Sequence, residues 1–254
     1  MITLEPLDSE KTMSASPTKF PAVIAIIPAR LDSNRLPGKA LREVNGRPLI
    51  EFVLARSRRI LGVSATIVAT TTRSVDDLLV NYLERNAVPY FRGEAEDVAK
   101  RLLDCAVVND AEYFIRINGD SVFLDHYLIG EGVALCKDRK PDLVTNLPGR
   151  TFPYGIAIEI IRTATFARIY SQMSLPDERE HVTKYLYNNP DQIRMVTMSS
   201  LHPELAKARL VVDTPEDFKN FKALVNELGD DIDIAPYNRV AILFFQLLMK
   251  GMEQ

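Results

Sequence analysis

The sequence predicts an α/β domain built on a mostly parallel central sheet flanked by helices. Three observations carry that prediction. Short apolar runs alternate with longer amphipathic segments along most of the chain, the strand–helix order a parallel sheet requires. The runs Ala22–Ile27 and Ala65–Ala69 are continuous rather than alternating, so these strands are buried on both faces. The chain has 254 residues, 46% hydrophobic and 26% charged, which suits a soluble globular protein and not a disordered, collagen-like or membrane one. That length accommodates one domain with a well-buried core and leaves room for two small ones.

Residues 1–20 are polar and acidic, lack the apolar stretch of a signal peptide, and read as a flexible extension with Ser14 and Pro17 as loop residues. The folded domain is expected over residues 21–234. Its first strand, Ala22–Ile27, stops at Pro28, and Ala29–Lys39 is a polar loop punctuated by Pro37-Gly38. Pro48 falls in the first turn of a helix carrying Leu49, Ile50, Phe52, Val53 and Leu54. Ala65–Ala69 is the second strand and ends in Thr70, Thr71 and Thr72; Ser74 caps the next helix, with Asp76 and Asp77 in its first turn. Val88–Phe91 reads as a strand, Glu96–Val108 as a helix, and Tyr113–Ile117 as a strand stopping at Asn118-Gly119-Asp120.

The alternation continues with a helix over Asp125–Cys136, strands at Leu143–Thr145 and Ile156–Ile161, and a helix over Thr165–Gln172. Arg209–Val212 reads as a late strand leading into Asp213-Thr214-Pro215, and Pro215 opens a helix bearing Phe218, Phe221 and Leu224. Residues 235–254 form an apolar C-terminal helix whose Val240, Ile242, Leu243, Phe244, Phe245, Leu247 and Leu248 need burial on the domain or against a second subunit. The apolar run Val240–Met249 is about half the length a membrane span needs, so no membrane partner is expected.

Charge and cysteine content exclude further classes. Lys+Arg total 31 against 34 Asp+Glu, a formal net charge of -3, so no global electrostatic grip on nucleic acid is expected. The aromatic residues are too scattered for a base-stacking platform. Cys105 and Cys136 make neither a metal spacing nor a disulfide framework, which suits a reducing cytoplasmic setting.

In open parallel sheets ligands bind at the carboxyl ends of strands. The loop after the first strand holds Arg30, Arg35 and Lys39, with Ser33 between them and Gly38 beside Lys39. Cations, a hydroxyl and closely approaching backbone amides are what phosphate recognition requires, although a solvated basic loop has the same composition. Neither a Walker A pattern nor G-x-G-x-x-G is present. Arg116-Ile117-Asn118-Gly119-Asp120 places a carboxylate just past a strand, with Gly119 for a tight turn, and suits a hard cation such as Mg²⁺. Asp213 is a second strand-end carboxylate, although Asp213 or Thr214 before Pro215 is also good helix-capping chemistry. A basic loop with Mg²⁺-binding carboxylates is what attack on a nucleotide α-phosphate needs.

The stretch IIPARLDSNRLPGKAL resembles the signature of the cytidylyltransferase family, which includes the CMP-Kdo and CMP-sialic-acid synthetases, and in particular its SpsF-like spore-coat polysaccharide branch. VATTT, FRGEAEDVAKR, IRINGD, EREHVTKY and RLVVDTPEDF follow in the order of that family, and the whole covers about residues 22–222. The resemblance implies a Rossmann-like nucleotide-diphospho-sugar transferase fold, and a reaction in which CTP and a small sugar-like acceptor give a CMP-sugar and pyrophosphate with Mg²⁺. It implies that Ala29, Arg30, Ser33 and Lys39 line a triphosphate site, with Arg30 and Lys39 stabilising charge and Arg35 matching the same motif. Thr70, Thr71, Arg73, Gly93, Asp97 and Arg101 lie where the family places residues near base and ribose, with Arg116 also on the nucleotide side. Asp120 and Asp213 would hold the metal.

On the acceptor side the resemblance implies Tyr154, Gly155, Glu159, Glu180 and His181. Here the chain departs from its branch, whose usual Y-P-D-G-x-D-V-E is Phe152 to Glu159: Tyr154 and Ala157 replace two acidic residues. A pocket without those carboxylates tolerates an acidic or a less hydroxylated acceptor better. Asp32 puts a negative charge where a small residue is common. Two other classes share these features: a glycosyltransferase using a nucleotide sugar, weakened because Asn118-Gly119-Asp120 is not D-x-D, and a non-catalytic nucleotide-binding protein, weakened by the intact Arg30, Lys39, Asp120 and Asp213. Related synthetases often dimerise, so a homodimer is expected.

Overall fold

The first apolar run becomes an inner strand of a seven-stranded sheet. The computed structural model describes residues 22–252 apart from Asn34, and the expected extension over residues 1–20 lies outside them. Along the chain come β1 (Val23–Pro28), the hairpin β2 (Glu43–Val44) and β3 (Arg47–Pro48), α1 (Leu49–Ser57), β4 (Ala65–Thr71), α2 (Asp77–Arg85), β5 (Tyr90–Gly93), α3 (Val98–Val108) and β6 (Tyr113–Arg116). There follow α4 (His126–Arg139), β7 (Leu143–Thr145), β8 (Glu159–Arg162), α5 (Thr163–Tyr170), α6 (Pro176–Glu180), α7 (Lys184–Asn188), β9 (Met195–Thr197), α8 (Pro215–Leu228) and α9 (Tyr237–Met252).

The sheet order is β5-β4-β1-β6-β8-β7-β9. β5, β4, β1 and β6 are mutually parallel, β8 runs antiparallel to both β6 and β7, and β9 is parallel to β7. Strand residues alternate between two cores. Val23, Ala25 and Ile27 face the core shared with α1, α2, α4, α8 and α9, while Ile24 and Ile26 face that of α3, α5 and α7. Burial on both faces explains why β1 is a continuous apolar run. Phe52 of α1 meets Phe221 of α8 edge-on at 5.0 Å, and Phe221 meets Phe123 at 5.5 Å.

The C-terminal helix closes this layer. Val240, Ala241 and Phe244 of α9 are buried, while Ile242, Leu248 and Met249 stay partly exposed. Arg56, wholly buried on α1, donates to the carbonyls of Ile232, Leu124 and Ala235 and so ties the approach to α9 onto the domain. Burial draws its pKa down to about 10. Cys105 and Cys136 are buried free thiols, and among the described residues no helix is long and apolar enough to cross a membrane.

Several boundaries differ from the expected ones. β4 continues through Thr70 and Thr71 because its pairing with β5 extends to Gly93, and β5 begins at Tyr90 rather than Val88. Pro48 precedes α1 as its N-cap rather than lying in its first turn. Ser74 makes no cap; it begins a 3₁₀ turn, Ser74–Asp76. The Arg209–Val212 strand does not form. That segment joins no sheet and pairs instead with the chain at Tyr154, through Tyr154 N–H to Ala208 O at 3.1 Å and Leu210 N–H to Tyr154 O at 2.7 Å.

Candidate active site

Three segments distant in sequence meet at the carboxyl ends of β1 and β6. The β1 loop is pinned at its start by Ala29 N–H to Ala69 O at 3.2 Å and closed by Gly38 N–H to Leu31 O at 2.9 Å, which delivers Lys39 to a 3₁₀ turn, Lys39–Leu41. Gly119 is needed for space: a Cβ there would lie 2.9 Å from the carbonyl oxygen of Pro28, so glycine lets the β6 loop press against the β1 loop. Asp120 then stands beside Lys39. The third segment arrives at α8, where Thr214 caps the helix by accepting from Asp217 N–H, and Asp217 reciprocates toward the Thr214 amide. Capping therefore falls to Thr214, and the Asp213 side chain is free to face Lys39.

The charges interlock. Lys39 Nζ lies 2.8 Å from Asp120 Oδ2 and 3.3 Å from Asp213 Oδ1, and Arg35 Nη1 lies 2.7 Å from Asp213 Oδ2. One ammonium thus bridges both carboxylates, which marks them as able to share a single cation. Among the described residues there is no group of three or more His, Cys, Asp and Glu suited to a metal ion. A carboxylate pair fits Mg²⁺ nonetheless, because that ion keeps waters and phosphate oxygens as its other ligands.

Two cavities adjoin here. The first, of about 350 Å³, is lined by the predicted Ala29, Arg30, Ser33, Arg35, Lys39 and Arg101. The second, of about 220 Å³, holds the predicted Arg116, Tyr154, Gly155 and Glu159. They share Arg35, Asn118, Asp120 and Asp213, so the carboxylate pair forms the wall between them. Arg101 is 2% exposed; it donates to the carbonyls of Glu94 and Ala95, and its Nε has no partner among the described residues. Burial, aided by nearby Arg30, draws its pKa down to about 10. A buried guanidinium with an unmet donor at a cavity wall is suited to an anionic or carbonyl oxygen.

In the second cavity both Glu159 oxygens are already engaged, by Arg116 Nη1 at 2.5 Å and by the Tyr187 hydroxyl at 2.9 Å. Burial and then the Glu159 charge push the Tyr187 phenol well above its ordinary pKa. Glu159 is thus placed to hold Arg116, whose Nε has no partner among the described residues. Gly155 has φ +105, and a Cβ there would come 2.3 Å from the carbonyl oxygen of Leu210. The Tyr154 ring carries the Arg209 guanidinium 4.9 Å and that of Arg150 5.7 Å from its centroid. Arg209 is clamped to Asp217 by bonds of 2.7 and 2.9 Å. Burial opposes ionisation of Asp217, but hydrogen bonds from Arg209, Asp213 N–H and Thr214 overcome it and hold the carboxyl below its ordinary pKa.

Other predicted residues stand elsewhere. Thr70, Thr71, Arg73, Gly93 and Asp97 line neither cavity. Thr70 and Thr71 are fully buried within β4; Arg73 pairs with Asp32 at 2.6 Å, which in turn pairs with Arg30 at 3.3 Å. The Gly93 carbonyl accepts from Thr72 N–H. Asp97 caps α3 through Lys100 N–H and receives the Tyr170 hydroxyl at 2.8 Å, a framework task. Arg116, expected on the nucleotide side, lines the second cavity instead, and Glu180 and His181, expected with Tyr154, line the first. His181 is exposed, with its Nε2 3.2 Å from Asp177 Oδ1. Sequence reading missed Tyr187, Arg209, Asp217 and the true setting of Asp76: Tyr187 lies in none of the quoted motifs, the Arg209–Asp217 pair within RLVVDTPEDF leaves no periodic mark, and Asp76 is partnered by the distant Leu31 amide.

Comparison with known proteins fits this geometry. The family profile described as Cytidylyltransferase matches residues 24–241. The chain is 29% identical over 229 residues to the spore coat polysaccharide biosynthesis protein SpsF of Bacillus subtilis, a match spanning 87% of this chain and 93% of that one. It is 26% identical over 217 residues to the 3-deoxy-manno-octulosonate cytidylyltransferase of Geotalea daltonii, across 73% of this chain and 82% of that one. Its fold superposes on a cytidylyltransferase structure from Leptospira borgpetersenii with a TM-score of 0.81 at 27% identity, covering 91% of this chain and 95% of that one.

Proposed function

The chain belongs to the cytidylyltransferase family, and from that premise we propose that it transfers CMP from CTP to a sugar or sugar-like acid, releasing pyrophosphate, to activate a sugar for polysaccharide assembly. Family membership sets aside the glycosyltransferase and non-catalytic readings. The observation that carries the proposal is the shared wall: the first cavity takes the nucleotide, the second the acceptor, and Asp120, Asp213 and Lys39 stand where the two meet.

The acceptor hydroxyl oxygen forms a bond to the α-phosphorus while the bond from phosphorus to the pyrophosphate oxygen breaks. Pyrophosphate leaves with the electron pair, and the hydroxyl proton passes to solvent. Such transfer needs alignment and charge neutralisation more than a strong base. Arg30, Ser33 and Lys39 bind the phosphates, and the Lys39 ammonium meets the charge on the leaving group. Arg101 presents its unmet donor from the cavity wall. Asp120 and Asp213 would hold Mg²⁺, which when bound supplies positive charge to phosphate oxygens. Glu159 keeps Arg116 turned toward the acceptor, and Tyr154 offers a ring, 46% exposed, to the apolar face of a sugar. A homodimer covering Ile242, Leu248 and Met249 of α9 is part of the same proposal; a monomeric mass by light scattering would remove it.

The test is pyrophosphate release with Mg²⁺, comparing CTP with UTP, ATP and GTP against 3-deoxy-manno-octulosonate, N-acetylneuraminate and neutral hexoses. CTP-selective release with a sugar acid supports the proposal. Preference for another nucleotide, or stabilisation by a nucleotide sugar above any triphosphate, contradicts it.

A further inference from the structure

Asp76 is completely buried, yet it lines neither cavity, and although it stands at the N-cap position of α2 its side chain makes no capping bond there. Its Oδ1 accepts the amide of Leu31 at 2.7 Å, and its Oδ2 receives the Thr71 hydroxyl. The Thr71 oxygen also accepts from Arg73 N–H at 3.2 Å. A polar strut therefore runs from the end of β4, through one buried carboxylate, to the loop after β1. Removing a carboxylate from water is costly unless its charge is met. Here it is met by the hydrogen bonds from Leu31 and Thr71 and by the nearby positive charge of Arg101, which Asp76 in turn favours.

Leu31 is held at both ends. Its N–H goes to Asp76, and its carbonyl accepts the Gly38 amide at 2.9 Å, one residue before Lys39. Fixing Leu31 thus fixes Arg30 on one side and the return of the loop to Lys39 on the other. We propose that Asp76 is a positioning residue for the triphosphate: through the Leu31 amide it sets the β1 loop so that Arg30, Ser33 and Lys39 face the first cavity together. This rests on the reading of that cavity as the nucleotide site.

The number of phosphates separates positioning from general support of the fold. Calorimetric titrations with CTP and with CMP, in Mg²⁺, are run on the wild-type chain, Asp76→Ala, Asp76→Asn and Thr71→Val. Asp76→Ala should weaken CTP by about tenfold or more, while CMP changes by less than about twofold. Asp76→Asn keeps an oxygen for the Leu31 amide and should recover most of the CTP affinity. Thr71→Val, which preserves shape, should shift CTP in the same direction by less. Equal losses for CTP and CMP, or CTP binding unchanged in both Asp76→Ala and Thr71→Val, overturn the inference. A wild-type chain that binds no CTP overturns the nucleotide site itself, a distinct result.

Discussion

The two cavities are built differently. The first lies past β1 and β6, parallel neighbours whose ends are brought together by the sheet itself. The second leans on antiparallel β8, on the loop through Phe152 and Tyr154, and on a segment at 209–212 that belongs to no sheet. Cations and carboxylates placed directly after parallel strands converge whatever the rest of the chain does. A wall held by Arg209 over the Tyr154 ring, and by Gly155 against Leu210, exists only once distant segments have docked. Phosphate-side chemistry should therefore fail by local substitution, and acceptor-side chemistry by loss of support.

The largest effects test the shared wall. Lys39→Ala and Asp120→Asn should each lower kcat by about a thousandfold, by analogy with removal of a transition-state charge partner, with the thermal midpoint unchanged. Turnover surviving both changes breaks the assignment. Next is the acceptor-side backbone: Gly155→Ala meets both the positive φ and the Leu210 carbonyl and should cost about 2–4 kcal/mol in urea unfolding. Arg209→Ala should cost about 1–2 kcal/mol and raise the acceptor KM while leaving CTP affinity unchanged, which sharpens the division between the two sides. A smaller effect follows from Asp217, whose folded pKa lies below its ordinary 3.8. Its stabilisation is fully present above that ordinary value and is lost as pH falls through the lower folded value, so Asp217→Asn should flatten the acid limb of a stability–pH curve.

Much of the first cavity was legible because Arg30, Ser33, Lys39 and Asp120 directly follow strands marked by apolar runs. Thr70, Thr71 and Asp97 show the limit of that reasoning. Their place in the chain matches the family, but β4 stays buried to its end and Asp97 turns back to cap α3. Asp76 looked like an ordinary acidic residue in a first helical turn, and only the return of the β1 loop brings it the Leu31 amide. Arg209–Val212 has the apolar character of a strand, but its hydrogen bonds go to Tyr154 and, through Val212 N–H, to Asp120 O at 3.1 Å. Glu159 fell where an acceptor ligand was expected, whereas nothing along the chain pairs it with Arg116 of β6, itself marked by IRINGD, or with Tyr187 of α7, which occupy both its oxygens.

A crystal structure with CTP and Mg²⁺ tests the division of labour most directly. The predicted result places the triphosphate on Arg30, Ser33 and Lys39 in the first cavity, with the second left open beside Tyr154 and Arg116. A nucleotide whose phosphates lie in the second cavity, on Arg116 and Arg150, would contradict it.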